Sequence, residues 1–231
     1  MEVLSIIPAR GGSKGIPNKN IKDLAGHPLI YYSIQAGQQS KYVTRTVLST
    51  EDERIKKIAL ECGCEVVDRP MELAQDTTKT IPVMVDVVKQ LKEKEGYNPD
   101  IVVLLQATCP LRDAKQIDSA MEYFLNNFEK CDSVFAARRI GTTHGKWRQL
   151  PKSQKFESMY DFRNRPRRQD SDKHYPMWAE TGSIYIIKAD VMLEVNDFVG
   201  DNPLIWESPE SIDIDNPEDF DRIAEIIKNR K

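Results

Sequence analysis

Histidine is scarce in this chain and paired cysteine is missing. Only three histidines occur, and the four cysteines (Cys62, Cys64, Cys109, Cys131) form no Cys-x-x-Cys pair, so the usual zinc spacings are not met. Reduced, buried thiols are the expectation. No apolar run approaches the length of a membrane span, and the short run before Arg10 is too brief for the core of a secretory signal. The reading is therefore a cytoplasmic protein that neither spans a membrane nor is exported. A dominant charge is absent too. Lys and Arg total 33 against 36 Asp and Glu, a net charge of −3, which argues against a general nucleic-acid partner. Internal repeats and low-complexity segments are lacking. At 231 residues the chain suits one domain.

What is present begins at residue 8. The apolar run Val3-Leu4-Ser5-Ile6-Ile7 leads into Pro8-Ala9-Arg10-Gly11-Gly12-Ser13-Lys14-Gly15-Ile16-Pro17-Asn18-Lys19-Asn20. This predicts a buried strand followed by a turn that interleaves three glycines with three cations. Gly11, Gly12 and Gly15 allow the backbone to approach an anion and present N–H groups to it, while Arg10, Lys14 and Lys19 can neutralise phosphate oxygens. The segment fits neither Gly-x-x-x-x-Gly-Lys-Ser/Thr nor Gly-x-Gly-x-x-Gly.

A second signal lies at Ser211-Ile212-Asp213-Ile214-Asp215-Asn216-Pro217. In an extended chain Asp213 and Asp215 share one face while Ile212 and Ile214 take the other. Two converging carboxylates repel unless a hard divalent cation, which also binds phosphate oxygens, joins them. A third signal is Leu104-Leu105-Gln106-Ala107-Thr108-Cys109-Pro110-Leu111-Arg112. It reads as a strand whose carboxyl end delivers Gln106, Thr108 and Arg112 to the sheet edge where ligands bind in open α/β folds.

Strands are expected at 3–7, 43–48, 65–67, 101–105, 133–136 and 183–187, alternating with helices. Thr50-x-x-Glu53 reads as a capping box, Asp113 as the start of another helix, and Asn216-Pro217 as the start of the last. The fold class is α/β: a mostly parallel, Rossmann-like sheet with helices on both faces, in a single domain over 1–231. Between about 138 and 180 the alternation stops. From Arg138 to Tyr175 eleven Lys or Arg stand against four acids, and the region reads as an inserted arm. An RNA role for it lacks a recognisable motif, and an anionic small substrate plus a subunit contact explains it as well.

The segment from Ile7 to Asn20 closely resembles the signature of the sugar-activating nucleotidyltransferases, and among them the N-acylneuraminate (sialic acid) cytidylyltransferases. The segment 104–112 is similar to that family's Leu-Gln-Pro-Thr-Ser-Pro-Leu-Arg, with Ala107 and Cys109 in place of Pro and Ser. Arg69-Pro70 through Asp76 and Thr80 resembles its Arg-Pro-x-x-Leu-Ala-x-Asp stretch, and Arg165 to Asp170 with Glu180 to Tyr185 resembles its sugar-recognition part.

The resemblance covers nearly the whole chain. It implies that residues 8–20 wrap the triphosphate of CTP, with Arg10, Lys14 and Lys19 catalytic and Gly11, Gly12, Ser13, Asn20, Arg69, Thr80, Gln106 and Arg112 also holding the nucleotide. It implies that Asp213 and Asp215 carry a catalytic Mg²⁺, with Asp215 a candidate weak base. Gln106, Lys146, Arg167, Arg168 and Gln169 are the candidate contacts to an acidic sugar, since a guanidinium can grip a carboxylate with two parallel hydrogen bonds. It further implies a homodimer in which the arm reaches the neighbouring site. The expected reaction couples CTP to an acidic nine-carbon 2-keto sugar. A nucleotidyltransferase activating another sugar such as Kdo, or a non-catalytic nucleotide-binding protein, remains the alternative.

Overall fold

A computed structural model describes residues 1–13, 15–209 and 212–229, with the backbone alone for Asp172. Lys14 and Ser211 lie outside the described residues. In chain order the elements are β1 (Val3–Pro8), β2 (Asp23–Leu24), β3 (His27–Pro28), α1 (Leu29–Gln39), β4 (Arg45–Thr50), α2 (Glu53–Glu61), β5 (Glu65–Asp68), α3 (Thr80–Glu95), β6 (Ile101–Leu104), α4 (Ala114–Asn126), β7 (Ser133–Thr142), β8 (Trp147–Gln149), β9 (Phe156–Ser158), α5 (Ser171–His174), β10 (Pro176–Lys188), α6 (Ala189–Val195), β11 (Pro203–Glu207) and α7 (Pro217–Asn229).

Seven strands form one sheet in the order β11-β7-β10-β6-β1-β4-β5. Every neighbouring pair is parallel except those made by β10, which runs antiparallel to β6 and β7. The two-residue alternation of strand side chains divides the core in two. On β1 and β6, Val3, Ile7, Ile101 and Val103 pack with Ile30, Ile34, Ile55, Ile117 and Phe124 from α1, α2 and α4. On the other face Leu4, Ile6, Val102 and Leu104 pack with Met84, Val87, Leu91 and Met192 from α3 and α6. Burying each such side chain contributes about 1.5–3 kcal/mol, and runs apolar at every position are what a strand covered on both faces requires. A third cluster seats α7, through Phe220, Ile223 and Ile227, on Ile16, Leu24, Leu111 and Ile214.

One cap differs from the sequence reading. Thr50 ends β4, and the cap of α2 is Asp52, whose carboxylate accepts from the N–H groups of Arg54 and Ile55. The turn after β4 leaves Thr50 two residues too early, and its hydroxyl instead accepts from the Asp52 N–H. Asp113 caps α4 as expected. At α7, Asn216 Oδ1 accepts from the Asp219 N–H while Asp219 Oδ2 accepts from the N–H groups of Asp215 and Asn216, a reciprocal cap.

The arm is more regular than the sequence indicates. It is the outward prolongation of two core strands, with β7 and β10 paired from Ser133↔Ile187 to Thr142↔Pro176. A break in register between Glu180 and Tyr185 separates its outer part from the core. The short β8–β9 hairpin sits beyond, steadied by rings: Trp147 lies 5.2 Å from Phe162 and 6.3 Å from Tyr160. Tyr160 is buried there, with the Arg165 guanidinium 5.7 Å from its ring.

Candidate active site

The carboxyl ends of β1, β5 and β6 open onto a cleft of about 400 Å³. The sheet edge places it there, because helices cover both faces and only the strand ends remain available. Arg10, Ser13, Lys19, Asn20, Arg69, Thr80, Gln106 and Asp215 all line it. Residues from the two ends of the chain and from its middle thus meet in one place.

Local bonding explains how each is held. Asn20 is buried and donates from Nδ2 to the Arg10 carbonyl at 2.9 Å, closing the loop on itself. The Arg10 guanidinium donates to Asp76 at 2.7 Å. Lys19 donates from Nζ to the Ile214 carbonyl at 2.7 Å, and the Ile214 N–H donates to the Thr108 carbonyl at 3.0 Å. The Asp213–Asp215 segment is therefore strapped to the loop on one side and to the end of β6 on the other. Gly15 is needed for this approach, since a Cβ there would stand 2.9 Å from the Asp215 carbonyl oxygen.

Arg69 is buried at the cleft wall, where its guanidinium donates to the Ser49 carbonyl at 2.8 Å and lies 4.0 Å from Glu51. Burial pushes its pKa down, and the Glu51 carboxylate opposes the shift. Thr80 is the first residue of α3, so the amino end of a 16-residue helix faces the cleft and adds its partial positive charge.

Several expected contacts lie elsewhere. Gly11 does not line the cleft, because its N–H donates to Glu51 Oε1 at 2.7 Å. Gly12 also lies outside the lining. Arg112 is a clear departure from the sequence reading. Its guanidinium turns into the protein and donates to the Gln106 and Ser183 carbonyls at 3.2 and 2.8 Å and to Ser33 Oγ at 2.6 Å. Burial pushes it down to about 10, and it makes no ion pair among the described residues. Its work is to fix the chain beneath Gln106. Lys146, Arg167, Arg168 and Gln169 sit on the arm, outside the lining of the cleft; Arg167 is engaged by Asp170 at 2.8 Å.

Asp213 is half-buried just behind the cleft, with Oδ1 3.9 Å from Cys109 Sγ. Gly182, at positive φ in β10, lies against both Gln106 and Asp213, a Cβ there falling 3.6 Å from Gln106 Nε2 and 3.9 Å from Asp213 Oδ2. No group of three or more His, Cys, Asp or Glu side chains that could cage a metal occurs among the described residues. Asp215 in a cation-lined cleft, with Asp213 just behind it, fits Mg²⁺, which is commonly held by one or two carboxylates together with substrate phosphates.

The sequence reading passed over Lys79, Gln75 and Thr78, which also line the cleft. Lys79 had a usable signal. It directly precedes a helix whose third residue is Pro82, so it stands at a helix amino end.

Comparison with known proteins agrees with this architecture. The family model described as Cytidylyltransferase matches residues 4–172. Post-translational flagellin modification protein B of Campylobacter coli is 36% identical over 99% of this chain and 96% of its own length. The CMP-N,N'-diacetyllegionaminic acid synthase of Legionella pneumophila is 33% identical over 95% of this chain and 94% of its own. The N-acylneuraminate cytidylyltransferase of Streptococcus agalactiae is 30% identical over 95% of this chain, which spans 52% of that protein's length. A structure of CMP:2-keto-3-deoxy-manno-octonic acid synthetase complexed with CTP aligns over the whole of both chains with a TM-score of 0.75 at 14% identity, a likeness of fold. With the family model covering most of its length, the chain belongs to the cytidylyltransferase family of enzymes.

Proposed function

We propose that this protein couples CTP to an acidic nine-carbon 2-keto sugar of the sialic acid kind, forming the CMP-sugar and pyrophosphate. One observation carries the reading: Arg10, Lys19, Arg69 and Lys79 face the cleft and Asp215 is the single carboxylate in its lining, among the described residues. Such a cavity selects a polyanion. The names of the Legionella and Streptococcus relatives supply the sugar class.

In this reading the triphosphate lies along the glycine-rich loop and the amino end of α3. Arg10 and Lys19 oppose the charge of its oxygens, while Arg69 closes the far wall. Gln106, held from beneath by Arg112 and Ser33, and the buried Asn20 orient the nucleotide. Asp213 and Asp215 would hold Mg²⁺, which would supply charge neutralisation and polarisation at the phosphates. The sugar's C2 hydroxyl oxygen forms a bond to the α-phosphorus as the bond to the β-phosphate oxygen breaks, and pyrophosphate leaves. Asp215 accepts the hydroxyl proton. Positioning and fixed charge do most of the work in such transfers, and no covalent enzyme intermediate is called for. The arm's Lys146, Arg167, Arg168 and Gln169 complete the sugar pocket of a neighbouring subunit in a homodimer, and the enzyme works in the cytoplasm.

The test is pyrophosphate release by purified protein with CTP, Mg²⁺ and a panel of N-acetylneuraminate, its deaminated relative Kdn, legionaminate, pseudaminate and Kdo. Turnover with a nine-carbon acid is expected, and turnover with Kdo alone would move the enzyme to the eight-carbon branch.

A further inference from the structure

Glu51 follows β4 and lies outside the lining of the cleft, yet it touches two of the features that shape it. Its Oε1 accepts from the Gly11 N–H at 2.7 Å. Its Oε2 is buried without any hydrogen-bond partner, 4.0 Å from Arg69 Nη1. A buried carboxylate oxygen left in this state is costly unless the arrangement around it is fixed by something else.

The surroundings are fixed on the loop side as well. A Cβ at Gly11 would collide with the Asp52 carboxylate. Asp52 cannot easily give way, because it caps α2 and pairs with Arg54 at 2.7 Å. The first residue of the glycine-rich turn is thus pressed on the Asp52 side chain by close packing and tied to the Glu51 carboxylate by a charge-assisted hydrogen bond. On the wall side, Glu51 is the one acid in ion-pair reach of the buried Arg69 among the described residues.

We infer that Glu51 is a positioning residue: it latches the glycine-rich loop to the end of β4 and holds Arg69 at the cleft wall, so that both meet the nucleotide phosphates in fixed places. This deepens the nucleotidyl-transfer reading and rests on it. The sign of the effect separates positioning from simple charge. Removing a carboxylate beside a polyanion site should tighten nucleotide binding if only its charge mattered. Removing a latch should weaken binding.

Two readouts test this on the full-length protein: calorimetric CTP affinity with Mg²⁺, and the rate at which trypsin cuts the Arg10–Gly11 bond in the native state. The scissile amide is the one that Glu51 accepts from, and native cleavage reports local opening. Glu51→Ala is expected to weaken CTP binding and speed cleavage by about tenfold or more each, the scale of one hydrogen bond to a charged group. Glu51→Gln keeps the acceptor for Gly11 and is expected to return both to within about threefold of wild type, the remainder being the lost charge. Gly11→Ala disturbs the same contact from the other side, so it should reproduce the alanine phenotype, and the double variant should be less than additive. Should Glu51→Ala not fold, Gly11→Ala and Glu51→Gln decide the matter. Unchanged cleavage in Glu51→Ala and Gly11→Ala overturns the inference, and so does faster cleavage in them with CTP affinity unchanged or raised. A wild type that binds no CTP overturns the nucleotidyl-transfer reading instead, while the cleavage comparison still decides whether Glu51 is the latch.

Discussion

Lys19 and Ile214 lie 195 positions apart, and a single bond of 2.7 Å from the Lys19 ammonium to the Ile214 carbonyl joins them. Ile214 is fully buried, so this carbonyl is one of the few fixed points of the segment that carries Asp213 and Asp215. A lysine expected to serve phosphate alone also sets where the two carboxylates stand. Replacing Lys19 with methionine keeps the stem and removes the tether. Turnover is expected to fall by about tenfold or more, and the Mg²⁺ concentration giving half-maximal rate to rise, as befits loss of a charge-assisted bond. A fall in turnover with an unmoved Mg²⁺ requirement would separate the two tasks.

Asp213→Asn and Asp215→Asn should each lower turnover by about 10², the scale seen when a principal electrostatic stabiliser is removed. Folding should survive in both, since Asp215 is exposed and Asp213 is half-buried beside polar neighbours. Circular dichroism and a rate measurement at saturating Mg²⁺ check this. Two variants of near-normal rate would remove both residues from the metal.

CTP should be preferred over UTP, ATP and GTP, as the sequence resemblance around Asn20 and Gln106 implies. Initial rates at equal nucleotide concentration decide the point, and equal turnover with UTP would be incompatible with it.

Arg112→Leu should cost stability. It strips a donor from the Ser183 carbonyl and from Ser33 Oγ, and a buried acceptor left without a donor costs about 1–3 kcal/mol, while the Gln106 carbonyl still accepts from Ser33 Oγ and the Cys109 N–H. Part of this is offset by no longer burying a charge that lacks an acidic partner. A net loss of about 2 kcal/mol in urea unfolding is expected. A variant as stable as wild type would show that the guanidinium is not the keystone beneath Gln106.

For the arm, Arg167→Ala with Arg168→Ala should raise the KM for the acidic sugar far more than that for CTP. Sedimentation should show a dimer, since Phe156, Trp147 and Phe162 remain exposed on a single subunit and arginine and aromatic residues favour interfaces. An equal rise in both KM values would take these arginines out of the sugar pocket, and a fully active monomer would end the dimer proposal.

The central strands were legible because β1 and β6 are buried on both faces and are apolar at nearly every position, the buried Ser5 bonding to Thr46 being the exception in the middle of β1. The same logic hid β11, a half-buried edge strand opening on Pro203, and the outer halves of β7 and β10, where Arg138, Arg139 and Gly141 pair by backbone register with no apolar pattern to announce them. At the site, glycine and charge spacing pointed to Arg10, Lys19 and Asp215 because those features are local. Arg112 was misread for the opposite reason. Its burial is created by Ser33 on α1 and Ser183 on β10, contacts that exist only once distant elements close around it.

β10 belongs at once to the sheet and to the arm, and the break in its register falls where Gly182 lies against Gln106 and Asp213. The strand therefore works as a lever whose fulcrum is the wall of the cleft. A force applied at the tip of the arm runs inward along β7 and β10, and it arrives at the point where Gln106 and Asp213 both lie against Gly182. Whatever grips the arm also holds a handle on the chemistry.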